Sequence, residues 1–198
     1  MNKIVFGLGR FNPPTKGHDL LIKTIIGLAQ TYQAKPMLFV IDGEKSSLDV
    51  DKNPFTGEYR RHLISDMYDI KVDLAGSAYE ALEILDIQGF NPSILVCGSD
   101  RVKQYSAMLD HIGFNTTIQG LDRNTGLAAN ISGTSARVAA RQGDRRTFYD
   151  FMSDDMPDHY KEEMFNFLYD SGRKINVGHR HELEIDKHAQ ISRNRWNR

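Results

Sequence analysis

Two stretches of the chain are furnished for handling phosphate. The first runs Gly7-Leu8-Gly9-Arg10-Phe11-Asn12-Pro13-Pro14-Thr15-Lys16-Gly17-His18, between an apolar run at Ile4-Val5-Phe6 and a helical pattern. A glycine-rich turn in that setting presents backbone N–H groups and the positive helix end to an anion. Two common phosphate loops do not fit. The fingerprint G-x-G-x-x-G fails at its third glycine, where Asn12 stands, and Pro13-Pro14 would stop a helix beginning there. The pattern G-x-x-x-x-G-K-[ST] is absent. What the loop offers is a detour ending in Thr15-x-Gly17-His18. Thr15 supplies a hydroxyl for capping or for phosphate, and Gly17 admits a close backbone approach. The His18 imidazole, on the first helical turn, can donate a hydrogen bond to a phosphate oxygen. Taken alone, the string also fits an ordinary glycine–proline turn with a surface histidine.

The second stretch is Ile131-Ser132-Gly133-Thr134-Ser135-Ala136-Arg137. Hydroxyls clustered ahead of a short helix are N-cap material. The same hydroxyls and amides can hold phosphate, with Arg137 as a bidentate partner one turn in. A capped helix with a solvated arginine is the plainer alternative. Lys45, Lys52 and Arg60 flank a long polar segment that suits a lid, and Arg10 adjoins the first loop. Cys97, the only cysteine, reads as a small buried apolar residue.

These residues need a frame, and the chain's patterning predicts one. Apolar runs at Ile4-Val5-Phe6 and over 37–41, 70–74, 93–97 and 115–119 read as strands. Leu21, Ile25, Leu28 and Tyr32 share one face of a predicted helix over 17–33, and 42–53 reads as a loop. Asn53-Pro54 reads as N-cap and first residue of a helix to 68, and Ser77 as the cap of a helix to 87. Further helices are predicted over 99–109, 134–141 and 158–169. The last carries Tyr160, Met164, Phe167 and Leu168 on its apolar face, with Ser171-Gly172 as its stop. This alternation predicts a parallel sheet with helices on both faces. Ligands gather at the carboxyl ends of such strands, where the strand order reverses.

Composition narrows the function classes. The 198 residues carry 25 Lys+Arg and 26 Asp+Glu, a formal charge of −1, which excludes a globally basic nucleic-acid binder. One Cys excludes an internal disulfide framework and a cysteine zinc cluster. No stretch reaches the roughly 20 apolar residues of a membrane span, and no signal peptide is evident, so a cytoplasmic protein without membrane contact is expected. Residues 171–198 stand apart, with seven Lys+Arg against three Asp+Glu, His179-x-His181 and the only Trp, Trp196. A solvated extension is expected there, with a basic arm toward nucleic acid or a partner subunit as the alternative; no metal site is expected.

The string G-R-F-N-P-P-T-K-G-H resembles the [HT]-x-G-H signature of the nucleotidyltransferase α/β phosphodiesterase superfamily, and I-S-G-T-S-A-R its I-S-x-T-x-x-R motif. Thr15 in place of the first His is the form of phosphopantetheine adenylyltransferases. Gly9-Arg10-Phe11-x-Pro13 is more similar to archaeal-type nicotinamide-mononucleotide adenylyltransferases, and small phage-type relatives also look similar. Gly133 stands where many relatives have Ser.

The resemblance implies a Rossmann-like α/β fold, a parallel sheet of about five strands with helices on both faces, over 1–170. The activity it implies is transfer of AMP from ATP to a phosphate-bearing acceptor with loss of pyrophosphate. Nicotinamide mononucleotide is the favoured acceptor and phosphopantetheine the next. His18, Thr15 and Arg137 are the implied catalytic residues, with Thr15 helping to hold the α-phosphate. Gly9, Arg10, Phe11, Gly17, Gly98, Asp100, Ile131, Ser132, Thr134 and Ser135 are implied at the nucleotide. Lys45, Lys52 and Arg60 are candidates for acceptor or triphosphate phosphates. Mg²⁺ is implied with ATP, carried by phosphate and water, and a homo-oligomer is typical of relatives. Asp100 fits a helix cap equally well. The rival readings are a cytidylyltransferase, against which Asn12 replaces that branch's Asp, and a non-catalytic nucleotide-binding or scaffold domain. A class I aminoacyl-tRNA synthetase is disfavoured by the chain's length.

Overall fold

The computed structural model describes residues 2–44, 48–122 and 131–174. Five parallel strands are joined by helices: β1 (Asn2–Gly9), α1 (Lys16–Thr31), β2 (Lys35–Ile41), α2 (Gly57–Met67), β3 (Lys71–Ala75), α3 (Ala78–Ile87) and β4 (Phe90–Gly98). A 3₁₀ turn (Ser99–Arg101) then leads into α4 (Val102–Ile112) and β5 (Thr117–Leu121). Three more helices follow among the described residues: α5 (Gly133–Arg141), α6 (Arg145–Phe151) and α7 (Asp158–Lys174).

The strand order is β3-β2-β1-β4-β5, so β1 and β4 lie side by side where the order reverses. Both sheet faces are covered, which is why the strands are apolar almost throughout rather than alternating. Ile4, Phe6, Met37, Phe39 and Leu95 meet α3 and α4 through Ala81, Leu82, Leu85, Met108 and Leu109. On the other face, Val5, Leu38, Val40 and Val96 meet Leu21, Ile22 and Ile25 of α1 and Leu63 and Ile64 of α2. Gly7 sets the distance there: a Cβ on it would fall 2.6 Å from Ile25 Cδ1 and 3.0 Å from Leu21 Cδ2. Helices α6 and α7 extend this second layer with Phe148, Met164, Phe165 and Leu168.

Several sequence expectations are corrected. The cap of α2 is Thr56, whose hydroxyl accepts from the Tyr59 amide, not Asn53. The Phe55 backbone is instead bonded to the Asn12 and Arg60 side chains, and the helix begins at Gly57. The 99–109 helix starts as a 3₁₀ turn and becomes α-helical at Val102. Tyr32 is 55% exposed at the α1 C-cap instead of joining its apolar face, and α6 had no apolar period to announce it. Ser171-Gly172 does not stop the last helix, which runs to Lys174. Gly172 is there for packing: a Cβ on it would meet Arg141 Cβ at 3.1 Å. Residues 175–198 and Lys45 lie outside the described residues. Among the described residues no helix is long and apolar enough to cross a membrane.

Candidate active site

The first loop leaves the carboxyl end of β1 and turns sharply at Phe11, whose φ is +50°. Left-handed backbone is unfavourable for a bulky residue, so the surroundings must hold it. Phe11 is fully buried, its ring 4.8 Å from the His18 ring and 3.1 Å from where a Gly9 Cβ would stand. The Phe11 side chain, implied at the nucleotide by the resemblance, is thus buried against the His18 ring.

Thr15 caps α1, and its backbone N–H donates to His18 Nδ1 at 3.0 Å. The Thr15 hydroxyl also lies 3.0 Å from that nitrogen. A ring nitrogen that accepts cannot carry the proton, so the neutral imidazole is the Nε2–H tautomer, a donor on the far side. Thr15 is 2% exposed, which makes its hydroxyl a partner of His18 rather than of solvent. Gly17 is buried in the first turn of α1, where it adds no bulk beside the imidazole.

Asn12 closes the loop on the rest of the molecule. Its Nδ2 donates to the Phe55 carbonyl at 2.9 Å, and its Oδ1 accepts from the Phe55 amide at 3.2 Å. Its own carbonyl accepts from Arg137 Nη1. Space at Gly133 is tight: a Cβ would lie 3.0 Å from the Asn12 carbonyl oxygen, so a side chain here needs that oxygen to give by a few tenths of an ångström. The two phosphate-like stretches, far apart in the chain, are thus bonded directly.

Helix α5 begins with a reciprocal box in which Ser132 Oγ accepts from the Ser135 amide at 3.0 Å and the Ser132 amide donates to Ser135 Oγ at 2.9 Å. Ser132 and Thr134 are exposed, and Ile131 and Ser135 are half-buried. Arg137, on the next turn, also donates to Thr134 Oγ1 at 3.1 Å. Burial first, and then the nearby charges of Arg141 and Arg10, push the Arg137 pKa below the ordinary arginine range. Asp49 and Asp51 act in the opposite sense. Arg10 itself is exposed.

Arg60, a candidate for phosphate in the sequence, has its donors taken up by protein acceptors. It is 1% exposed and spends its donors on protein: Nε on the Phe55 and Thr56 carbonyls at 3.0 and 3.1 Å, Nη1 on the Arg10 and Ile41 carbonyls, and Nη2 on Asp42. Asp42 also accepts from the Gly57 amide at 3.0 Å, and a Cβ on Gly57 would sit 2.7 Å from its Cγ. Burial lowers the Arg60 pKa, and Asp42 opposes that shift.

Lys52 is well exposed and pairs with Asp49 at 2.7 Å. Gly98 is buried at the end of β4 and Asp100 is exposed beside it, 3.3 Å from Arg101 Nε. Cys97 is buried. Among the described residues no three His, Cys, Asp or Glu side chains converge as a metal cage.

Three contributors carried no local signal. Asn12 reads in the sequence as a misfit in a glycine fingerprint, and its partner Phe55 is 43 residues away. Asp42 reads as part of a polar loop. Arg141 donates to the Asp51 carbonyl at 2.9 Å, and its spacing four residues after Arg137 was the only hint of it.

No protein-family model and no curated protein sequence matches the chain. Solved structures do. Plasmodium falciparum nicotinic acid mononucleotide adenylyltransferase complexed with APC superposes with a TM-score of 0.55, covering 84% of this chain and 98% of that one at 13% identity. The same enzyme complexed with NaAD gives 0.56 at the same coverage and identity. At that identity the likeness is one of fold: the chain has the Rossmann-like α/β fold of these adenylyltransferases.

Proposed function

We propose that the chain is an adenylyltransferase that moves AMP from ATP to the phosphate of a pyridine mononucleotide, nicotinamide mononucleotide first, and releases pyrophosphate. One observation carries this reading. The oriented His18 donor and the buried Arg137 cation are bonded into one unit through the first loop, beside the β1–β4 reversal where α/β proteins bind ligands. The fold likeness to a nicotinic acid mononucleotide adenylyltransferase solved with NaAD supports a pyridine mononucleotide as the class of acceptor.

In the proposed step an acceptor phosphate oxygen attacks the α-phosphorus of ATP. The new P–O bond forms as the bond to the β-phosphate breaks, and pyrophosphate leaves with the electron pair. The nucleophile is already an anion, so no protein base is required, and catalysis rests on positioning and charge stabilisation. His18 donates through Nε2–H to the phosphate in transfer, and Thr15 holds the ring in that tautomer. Arg137, with the amides and hydroxyls of Ser132 to Ser135, receives the leaving phosphates, and Arg10 adds charge at the rim. Gly17 and Gly98 are candidates for close backbone approach to the nucleotide, with the Gly9 backbone beside them, and Asp100 is a candidate for its ribose. Mg²⁺, held by phosphate oxygens and water, would supply positive charge to the triphosphate.

The test is pyrophosphate release with Mg²⁺, crossing ATP and CTP with nicotinamide mononucleotide, nicotinate mononucleotide, phosphopantetheine and an alcohol phosphate. Turnover is expected with ATP and a pyridine mononucleotide, and His18→Ala should lower kcat by about 10²–10³. A folded His18→Ala variant at wild-type rate, or preference for CTP, overturns the reading.

A further inference from the structure

We propose that Asn12 is a positioning residue for this site, and that it must be an amide because it donates and accepts at once on the backbone of a single residue, Phe55. The inference rests on the role given above to His18 and Arg137. Asn12 is 4% exposed, so neither half of its side chain has water to fall back on. Nδ2 meets the Phe55 carbonyl and Oδ1 meets the Phe55 amide, at 2.9 and 3.2 Å. A carboxylate of the same shape keeps the second bond and sets negative charge against the carbonyl in the first.

The clasp lies within a closed ring of contacts. Arg60 reaches the same Phe55 carbonyl with Nε and the Arg10 carbonyl with Nη1, so the loop is gripped on both sides of Phe11. Phe11, forced to φ +50°, packs on the His18 ring. The Asn12 carbonyl receives Arg137, and Gly133 closes to within 3.0 Å (as a Cβ) of that oxygen. A shift of the amide therefore moves His18 through Phe11 and Arg137 through the carbonyl. Both phosphate-handling groups move together.

The experiment compares Asn12→Asp with wild type in two readouts. In pyrophosphate release at pH 8, kcat should fall on the order of 10- to 100-fold with a much smaller change in the KM for ATP, as expected for misplacement by a fraction of an ångström up to 1 Å. The deficit should shrink as pH is lowered, because a protonated carboxyl again donates to the Phe55 carbonyl while accepting from its amide. Charged groups packed around this position are Arg10 in the loop, His18 on α1, Asp42 after β2, Arg60 on α2 and Arg137 on α5; taking the ratio to wild type at each pH removes the titration the two proteins share.

The second readout needs no turnover. In ¹⁵N-histidine-labelled protein, the His18 ring signals, assigned by their loss in His18→Ala, should move in Asn12→Asp. If Asn12→Asp does not fold, Gly133→Ala presses on the Asn12 carbonyl from α5 and should move the same signals. Unmoved His18 signals in the folded variant overturn the proposal, as does a kcat deficit that is equal at every pH. Should His18→Ala abolish turnover while Asn12→Asp matches wild type, the positioning role fails and the adenylyltransferase reading stands. Should no acceptor support turnover, that reading fails and the ring signals still decide the role of Asn12.

Discussion

Arg60 and Arg137 are the buried arginines among the described residues, and each donates to a carbonyl of the first loop, Arg10 for one and Asn12 for the other. Their surroundings differ in charge. Arg60 has the Asp42 carboxylate beside it and spreads its donors over five residues of three segments. Arg137 makes no ion pair among the described residues, and the strongest charges acting on it after burial are Arg141 and Arg10. A buried cation with its counter-ion is part of the scaffold, because its desolvation is offset inside the protein. Around Arg137 the opposing charges of Asp49 and Asp51 rank below burial and the two arginines, which leaves charge that an arriving anion would offset. The same residue type, buried and bonded to the same loop, thus serves cohesion in one place and, in the function proposed above, ligand affinity in the other.

Arg60→Ala should give the largest effect, because it removes the one guanidinium that bonds Asp42 and four backbone carbonyls at once. A loss of about 3–5 kcal/mol in urea unfolding is expected, and a loss below about 1 kcal/mol would break the contrast. Arg137→Met keeps the apolar stem and removes the charge. Its stability should fall less than that of Arg60→Ala, while Mg-ATP affinity measured by calorimetry drops at least about tenfold, the lower bound for a hydrogen bond to a charged group. Unchanged ATP affinity in this variant would remove Arg137 from the ligand side of the comparison. Ser77→Ala, at a cap remote from both arginines, sharpens it: about 1 kcal/mol of stability should go with ATP affinity intact.

Much of the frame was legible. Buried strands in a two-faced parallel sheet are continuous apolar runs, and Ser77 announced its helix by local capping chemistry. Helix α1 was readable from Leu21 and Ile25, since period and burial agree there. What escaped was decided across long separations. The start of α2 moved from Pro54 to Gly57 because Asn12 and Arg60 hold Phe55, a competition that no window around Pro54 contains. The stop at Gly172 failed because a glycine that looks like a terminator was needed for contact with Arg141. Arg60 shared a segment with Lys52 and looked like the same kind of residue, yet one is sealed in the core and the other is in solvent.

From the sequence alone came the α/β alternation, the two phosphate-like stretches and the placement of His18 on a first helical turn, all of which depend on neighbours within a few residues. The tertiary structure decided which cations are neutralised, which tautomer His18 holds and what Asn12 does. Those outcomes depend on burial and on partners tens of residues away, and a buried polar group takes its role from whichever partner the fold brings to it.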